Sequence, residues 1–126
     1  MRLRRWLVRA ASVYAAYLAV LLSLQEKLIY PFSDRVFEHP AWPVAKIKVT
    51  DADDVVAHVS QGRADQAVVV YFMGNAGSLS LFATDLNMHA QAGRTVVAMT
   101  YRGGGGIAGA PTEAQLKADA LATVDY

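Results

Sequence analysis

The sequence has 126 residues, of which 54% are hydrophobic and 18% are charged, and it contains no cysteine. This length suits one modest domain, and the lack of cysteine excludes a disulfide scaffold, a thiolate metal site and a cysteine nucleophile. Four arginines and no acid lie in residues 1–9, whereas the rest of the chain holds more acidic than basic residues. Because no basic patch lies beyond the amino terminus, the sequence predicts no nucleic-acid partner.

Residues 1–30 are predicted to form a membrane anchor. The window 6–24 is almost wholly apolar and contains one charge, Arg9, and a helix needs about 20 mostly apolar residues to cross a bilayer. Trp6 and the aromatic residues of 30–32 are placed like side chains at membrane interfaces. The excess of arginine predicts a single-pass protein with a cytoplasmic amino terminus, and the part after residue 30 on the periplasmic or extracellular side.

Two other interpretations of this helix remain open. A cleaved signal peptide has a similar charged start and apolar middle, but it needs small residues at positions −3 and −1 before its cleavage site. Residues 21–26 offer no such pair, which favours a retained anchor. The four flanking arginines argue against the third interpretation, a buried helix of a globular protein.

The next part of the chain is predicted to be a linker followed by strands. Residues 31–43 contain three of the four prolines, which is typical of an extended linker. Apolar and polar residues alternate over 44–50, which predicts a strand with one solvated face, and 55–59 predicts a second short strand. We therefore divide the chain into an anchor (1–30), a linker (31–43) and a partial α/β domain (44–126).

A strand, a helix and a second strand are predicted between residues 67 and 101. The run 67–72 is β-branched and aromatic, as a strand covered on both faces requires. Apolar residues at 79, 82, 83, 86 and 90 predict an amphipathic helix that begins after Ser78 and ends at Gly93. The segment 95–101 predicts another buried strand. Because a helix connects the two strands, they are predicted to be parallel.

The last predicted element is a helix that begins near Thr112. Thr112 and Gln115 have the spacing of a capping box. An apolar stripe predicts the face that packs on the sheet; it consists of Leu116, Ala120, Leu121 and Val124.

Two glycine-bearing loops are candidate binding sites. Residues 104–109 match G-x-G-x-x-G, but Ala110 and Pro111 separate them from the helix that the glycines of a dinucleotide site must open, which favours a plain turn. Residues 74–77 lie between a strand and a helix, where backbone amides can bind an anion or stabilise an oxyanion. A simple turn that needs glycine for its dihedral angles fits the same spacing, so both interpretations stay open.

Other motifs of catalysis are lacking in the sequence. There is no G-x-S-x-G, the motif that exposes a serine nucleophile at a strand-to-helix turn. His39, His58 and His89 have no partner at a recognisable spacing and are predicted to be packing or surface residues. The aspartates of 51–54 lack the later glycine and glutamate of a calcium loop, so no metal site is predicted.

Four segments in order resemble the first half of an α/β-hydrolase. They read VVYFMGNAG (69–77), YRGGG (101–105), GAPTE (109–113) and DALATVDY (119–126). The branch they resemble is membrane-anchored and serine-aminopeptidase-like, with motifs FHGNAG, YRGYG, G-x-P-[ST]-E and a D-A…DY helix. The likeness covers about residues 67–126 and implies an α/β fold, in which an N-terminal transmembrane helix precedes a truncated α/β-hydrolase parallel sheet.

The resemblance implies a serine hydrolase of the esterase or peptidase type that uses no cofactor and no metal. It makes the backbone amides of Asn75 and Ala76 donors of an oxyanion hole. The family's serine, acid and histidine lie beyond Tyr126, so no catalytic residue is expected in this chain. The supporting loop residues that it implies are Gly74, Gly77, Tyr101, Arg102 and Gly103.

Three residues depart from the family pattern. Met73 stands in place of a histidine, Gly104 in place of a tyrosine, and Ile107 where a small polar residue is common. Because the family's nucleophile, acid and histidine are absent, we expect a fragment that is inactive as written. The alternative, which Met73 and Gly104 favour, is a non-catalytic, membrane-anchored binding or assembly module. In the family, the strand at 67–72 lies between the strand at 95–101 and the nucleophile's strand, so we also expect an open edge there that promotes self-association.

Overall fold

The computed structural model describes residues 2–50, 54–74 and 77–126. Contacts divide the chain into two compact units, Met1–Tyr30 and Pro31–Tyr126. The first unit contains one helix, α1 (Arg2–Ile29). Along the chain, the second unit contains β1 (Val44–Lys48), β2 (Asp54–Ser60), β3 (Val68–Phe72), a 3₁₀ helix (Leu79–Phe82), α2 (Ala83–Gln91), β4 (Thr95–Thr100) and α3 (Glu113–Asp125).

Helix α1 has the length and composition of a membrane-spanning segment. Its 28 residues extend over about 42 Å at the helical rise, which exceeds the hydrocarbon thickness of a bilayer. The hydroxyls of Ser12 and Ser23 donate to the carbonyls of Val8 and Ala19 one turn earlier, so these polar groups are satisfied within the helix. The predicted apolar amino-terminal helix is therefore present, and its length and composition are those of a membrane anchor or of a signal sequence.

The strands of the described residues form one mixed sheet, and the prediction of a parallel sheet is wrong. Its order is β1-β2-β4-β3. β1 pairs antiparallel with β2, and β2 pairs antiparallel with β4, while β3 and β4 alone are parallel. The connection between β1 and β2 is too short for a crossover, so these strands are antiparallel, whereas α2 connects β3 to β4 and allows the predicted parallel pairing.

The strand–helix–strand unit follows the predicted hydrophobic pattern. Leu79 and Leu86 are buried against the sheet, with Phe82, Ala83 and Ala90 beside them. The first turn is a 3₁₀ helix, and Ser78 makes no side-chain cap bond to it, so the predicted cap is present in position only. Gly93 follows α2 with a φ of 83°, a conformation that favours glycine at the end of a helix.

The core lies on both faces of the sheet. On one face, α2 and the segment 31–43 cover β4, and this cluster consists of Phe37, Trp42, Met73, Leu79, Leu86, Val96 and Ala98. On the other face, α3 covers a cluster that consists of Ile47, Val55, Ala57, Val59, Val97 and Met99. The predicted linker thus has no helix or strand among its residues, but it contributes two large aromatic side chains to the core.

Helix α3 packs on the sheet with a face that matches the predicted one only in part, because Leu116 and Ala120 are half-buried. The structure buries Asp119 and Thr123 and leaves Leu121 and Val124 exposed. Thr112 accepts a hydrogen bond from the backbone of Gln115 at 3.3 Å, so the predicted cap is confirmed. The face differs because Asp119 pairs with a buried arginine, and this pairing requires the polar side of the helix to face inward.

Candidate functional site

The candidate site lies where β3 and β4 end. Since these strands are parallel, their carboxyl ends lie at the same edge of the sheet, which is where α/β folds bind ligands. The hydroxyl of Tyr101 donates to the backbone carbonyl of Met73 at 2.7 Å. This hydrogen bond joins the segment after β4 to the segment after β3.

Tyr101 is held as a hydrogen-bond donor by its surroundings. Its half-buried ring lies 4.9 Å from the ring of Phe32, centroid to centroid. Burial, and to a lesser extent the neighbouring Tyr71, raise the pKa of the Tyr101 phenol above its usual value of 10. The phenol therefore stays protonated at neutral pH, and its bond to the Met73 carbonyl persists.

Arg102 fixes the next part of the loop to α3. Its Nε and Nη2 donate to the two carboxylate oxygens of Asp119, each at 2.7 Å. Arg102 is 8% exposed and Asp119 is 0% exposed. A buried pair with this bidentate geometry satisfies both charges, and the loss of either partner would leave an unpaired buried charge. Arg102 thus has a structural role and extends toward α3.

The glycines after Arg102 allow the chain to pass very close to its neighbours. Gly103 has a φ of 74°, and a Cβ there would lie 2.9 Å from Cδ of Pro111. A Cβ on Gly104 would lie 2.7 Å from Cβ of Phe32. Phe32 therefore occupies the space into which a side chain at residue 104 would extend, and its ring packs against that of Tyr101 at an interplanar angle of 33°.

Backbone amides of this glycine segment already have protein acceptors. The amide of Gly103 donates to the carbonyl of Ile107, that of Gly104 to Tyr101, and that of Gly105 to Ser33. Moreover, α3 begins at Glu113, several residues after Gly109. Amides that donate to the protein are not available to a pyrophosphate, which argues against a dinucleotide site at 104–109.

The other predicted loop is described only in part. Gly74 is exposed, and a Cβ there would meet open space. A Cβ on Gly77 would lie 3.1 Å from Cε2 of Phe82, so the Phe82 ring supports the far end of the loop. The two predicted oxyanion donors, Asn75 and Ala76, lie outside the described residues, and their assignment stays a prediction.

The histidines pack against the protein separately from this site. His39 accepts from the amide of Ala41 at 3.3 Å and contacts Asn87 at 3.4 Å, while Nδ1 of His89 lies 2.8 Å from Arg94. His58 is 6% exposed, and its Nδ1 has no hydrogen-bond partner. Burial lowers the pKa of His58 below 6.5, so its imidazole is neutral at neutral pH.

Two contacts of the site were missed from the sequence. The sequence places Asp119 in a motif but does not indicate that it pairs with Arg102, and it predicts that Phe32 belongs to a linker. One signal in the sequence could have indicated this role of Asp119. The residue is acidic, and it lies one turn from Leu116 and from Thr123 on a helix that must pack on a sheet. Within 2–50, 54–74 and 77–126, no group of three or more potential metal ligands comes together.

Comparison with known proteins adds no family to this description. No family model matches the chain, and a search of curated proteins finds no match either. The resemblance to α/β-hydrolases therefore rests on the four motifs of the sequence.

Proposed function

We propose that residues 31–126 form the amino-terminal half of a membrane-anchored serine hydrolase of the esterase or peptidase type. The observation that carries the proposal is the Tyr101–Met73 hydrogen bond of 2.7 Å, which joins the segments after two parallel strands. A loop in this place can present backbone amides to an oxyanion. In this proposal, the amides of Asn75 and Ala76 are those donors.

The proposal relies on one part of the sheet only. β3, α2 and β4 form a parallel unit, and the motifs that resemble the family begin within it. β3 is the last strand of the order β1-β2-β4-β3, which agrees with a position beside a further strand in the complete domain. The antiparallel pairing of β1 and β2 is not used as support for a hydrolase.

The chain is proposed to be catalytically inactive by itself. Its sequence contains no G-x-S-x-G, and oxyanion donors accelerate acyl transfer only when a nucleophile generates the negative charge. We expect that the full chain, purified in detergent, reacts with no fluorophosphonate probe under conditions in which a known serine hydrolase is labelled. Stoichiometric labelling of a serine would contradict this part of the proposal.

The nucleotide sequence after codon 126 tests the remainder of the proposal. We expect a G-x-S-x-G motif within about twenty to thirty codons, in any reading frame and after a β-branched segment. Its absence from all three frames would contradict the proposal that residues 31–126 are half of a hydrolase.

We also propose that α1 is retained as an anchor with its amino terminus in the cytoplasm. Arg2, Arg4, Arg5 and Arg9 precede the apolar part of the helix, and such residues favour the cytoplasmic side. Protease added to spheroplasts should therefore digest residues 31–126, and full protection would reverse the orientation. The mass of the purified chain tests retention, since a cleaved signal peptide would remove α1.

A non-catalytic assembly module is the second candidate function, and the free edge of β3 favours it. Val68 is 60% exposed, and the structure places β3 at the end of the sheet. A partner that adds a strand there would protect the backbone amides of β3 from hydrogen exchange. A purified partner that binds stoichiometrically without such protection would contradict this candidate.

A further inference from the structure

Three arginine side chains surround a hollow near the beginning of α1. The hollow has a volume of about 400 Å³ and is lined by Arg4, Arg5, Val8 and Arg9. These residues are exposed, and no acidic residue precedes Glu26 in the sequence. Three positive charges at one small site repel each other, and an anion bound among them would relieve this repulsion.

An apolar groove on α1 adjoins this arginine hollow. The groove has a volume of about 540 Å³ and is lined by Trp6, Arg9, Ala10, Val13, Tyr14 and Tyr17. Arg9 lines both the hollow and the groove, and its guanidinium carbon lies 5.8 Å from the centroid of the Trp6 ring. A site for negative charge therefore continues into an apolar surface along the same helix.

We propose that the arginine hollow and the adjoining groove bind one anionic phospholipid. The phosphate headgroup occupies the hollow, and part of an acyl chain lies along the groove. The guanidinium group matches the oxygens of a phosphate with two parallel hydrogen bonds, which an ammonium group cannot do. A soluble phosphate would use the hollow but not the groove, so the two features together indicate a lipid.

The positive charge of the hollow predicts an order of affinity for lipid headgroups. A phosphomonoester headgroup carries more negative charge than a phosphodiester, and a zwitterionic headgroup carries no net charge. We therefore expect the order phosphatidic acid, phosphatidylglycerol, phosphatidylcholine, from tightest to weakest. Each arginine near an anionic surface contributes about a fivefold preference. This inference rests on the proposed membrane insertion of α1.

Quenching of Trp6 fluorescence by brominated lipids tests the site. The full chain is reconstituted in phosphatidylcholine vesicles that contain either brominated phosphatidic acid or brominated phosphatidylcholine. The signal of Trp6 is obtained by subtraction of a Trp6→Phe chain, which retains Trp42. We expect brominated phosphatidic acid to quench Trp6 with at least a tenfold higher relative affinity, on the scale of two arginines at about fivefold each.

Matched variants distinguish a specific lipid site from general attraction between positive charge and an anionic membrane. Arg4→Gln with Arg5→Gln should abolish the preference, whereas Arg63→Gln with Lys117→Gln, which removes the same charge elsewhere, should retain it. Arg4→Lys with Arg5→Lys keeps the charge but loses the paired hydrogen bonds, so it should lower the preference severalfold. A preference unchanged in the lysine variant would show general surface attraction and would overturn the proposed site.

The outcomes also distinguish this inference from the anchoring on which it rests. A chain that fails to float with vesicles after an alkaline wash contradicts both the anchoring and the lipid site. A chain that floats but is quenched equally by the two lipids contradicts the lipid site alone. Release of the lipid by millimolar inorganic phosphate would show that the groove contributes nothing, and it would also overturn the proposal.

Discussion

β3 and β4 are adjacent, parallel and rich in valine, but they differ in how much of each is buried. β4 lies between β2 and β3, and its residues 96–100 are all buried. No residue of β3 is fully buried, because β3 is the last strand of the sheet and its face toward α3 is incompletely covered. A run of β-branched residues therefore predicts a strand with two apolar faces. How much of those faces is buried depends on the neighbouring strands and helices.

The segments that follow these two strands differ in the same way. β4 leads into Arg102, which the buried carboxylate of Asp119 holds with two hydrogen bonds. β3 leads into residues 73–77, where the Tyr101 hydroxyl contacts the Met73 carbonyl. The carbonyl of Met73 thus depends on a neighbouring segment for its hydrogen bond, and that segment is held by the Arg102–Asp119 pair.

The largest expected effect comes from removal of one member of that pair. Asp119→Ala leaves the guanidinium of Arg102 buried without its partner, and we expect the free energy of unfolding to fall by about 3–5 kcal/mol. Urea unfolding of the full chain in detergent measures this change. The double variant Arg102→Leu with Asp119→Leu should lose less than Asp119→Ala, because no unpaired charge remains; an equal or greater loss would contradict this account of the pair.

The second prediction compares equivalent truncations in the two strands. Val96→Ala removes two buried methyl groups from β4 and should lower the free energy of unfolding by about 1.5–3 kcal/mol. Val68→Ala in β3 should change it by no more than about 0.5 kcal/mol, since the side chain is mostly exposed. Thermal unfolding of both variants measures the difference, and equal losses would show that β3 is covered in solution.

Much of the fold could be predicted because most elements have local signals. The alternation of Ala45, Ile47 and Val49 with lysine and threonine and the helical spacing of Leu79 and Leu86 each predicted an element that the structure contains. The parallel pairing of β3 and β4 followed from the helix between them. The parallel sheet was wrong because it came from the family resemblance, whereas the short connection between β1 and β2 permits only an antiparallel pair.

The inward face of α3 could not be predicted from its own residues. Leu121 and Val124 are more apolar than Asp119 and Thr123, so periodicity places them in the buried face, whereas the structure leaves them exposed. The interaction that determines the inward face of α3 joins Asp119 to Arg102. Arg102 belongs to a different segment, and a local sequence pattern cannot predict such a contact. For the same reason the contact between the rings of Phe32 and Tyr101 could not be predicted, because the two residues lie in distant segments of the chain.

A smaller effect involves His58, which lies on the strand that pairs with the other edge of β4. Burial lowers the pKa of the folded-state imidazole below its unfolded value near 6.5, so stability is fully present above that value. As the pH falls below 6.5, the unfolded chain takes up a proton first, and stability is lost until the pH passes the lower folded-state pKa. Glu38 and His39 line the same groove as His58.

Unfolding measured between pH 8 and about pH 5 tests this prediction across the usual range of histidine titration. His58→Gln should reduce the loss of stability at acidic pH. An identical pH dependence in the His58 variant would show that another group causes the acid sensitivity.

The smallest expected effect on stability, and the clearest test of the free edge, comes from Val68→Lys. A lysine on an exposed edge strand discourages pairing with a second chain, so self-association measured by sedimentation of the full chain in detergent should decrease. The free energy of unfolding should change by no more than about 0.5 kcal/mol. Leu81→Lys is the matched control, since Leu81 is 65% exposed but lies in the 3₁₀ helix. If both variants reduce self-association equally, general exposed hydrophobicity drives it, and the edge of β3 has no special role.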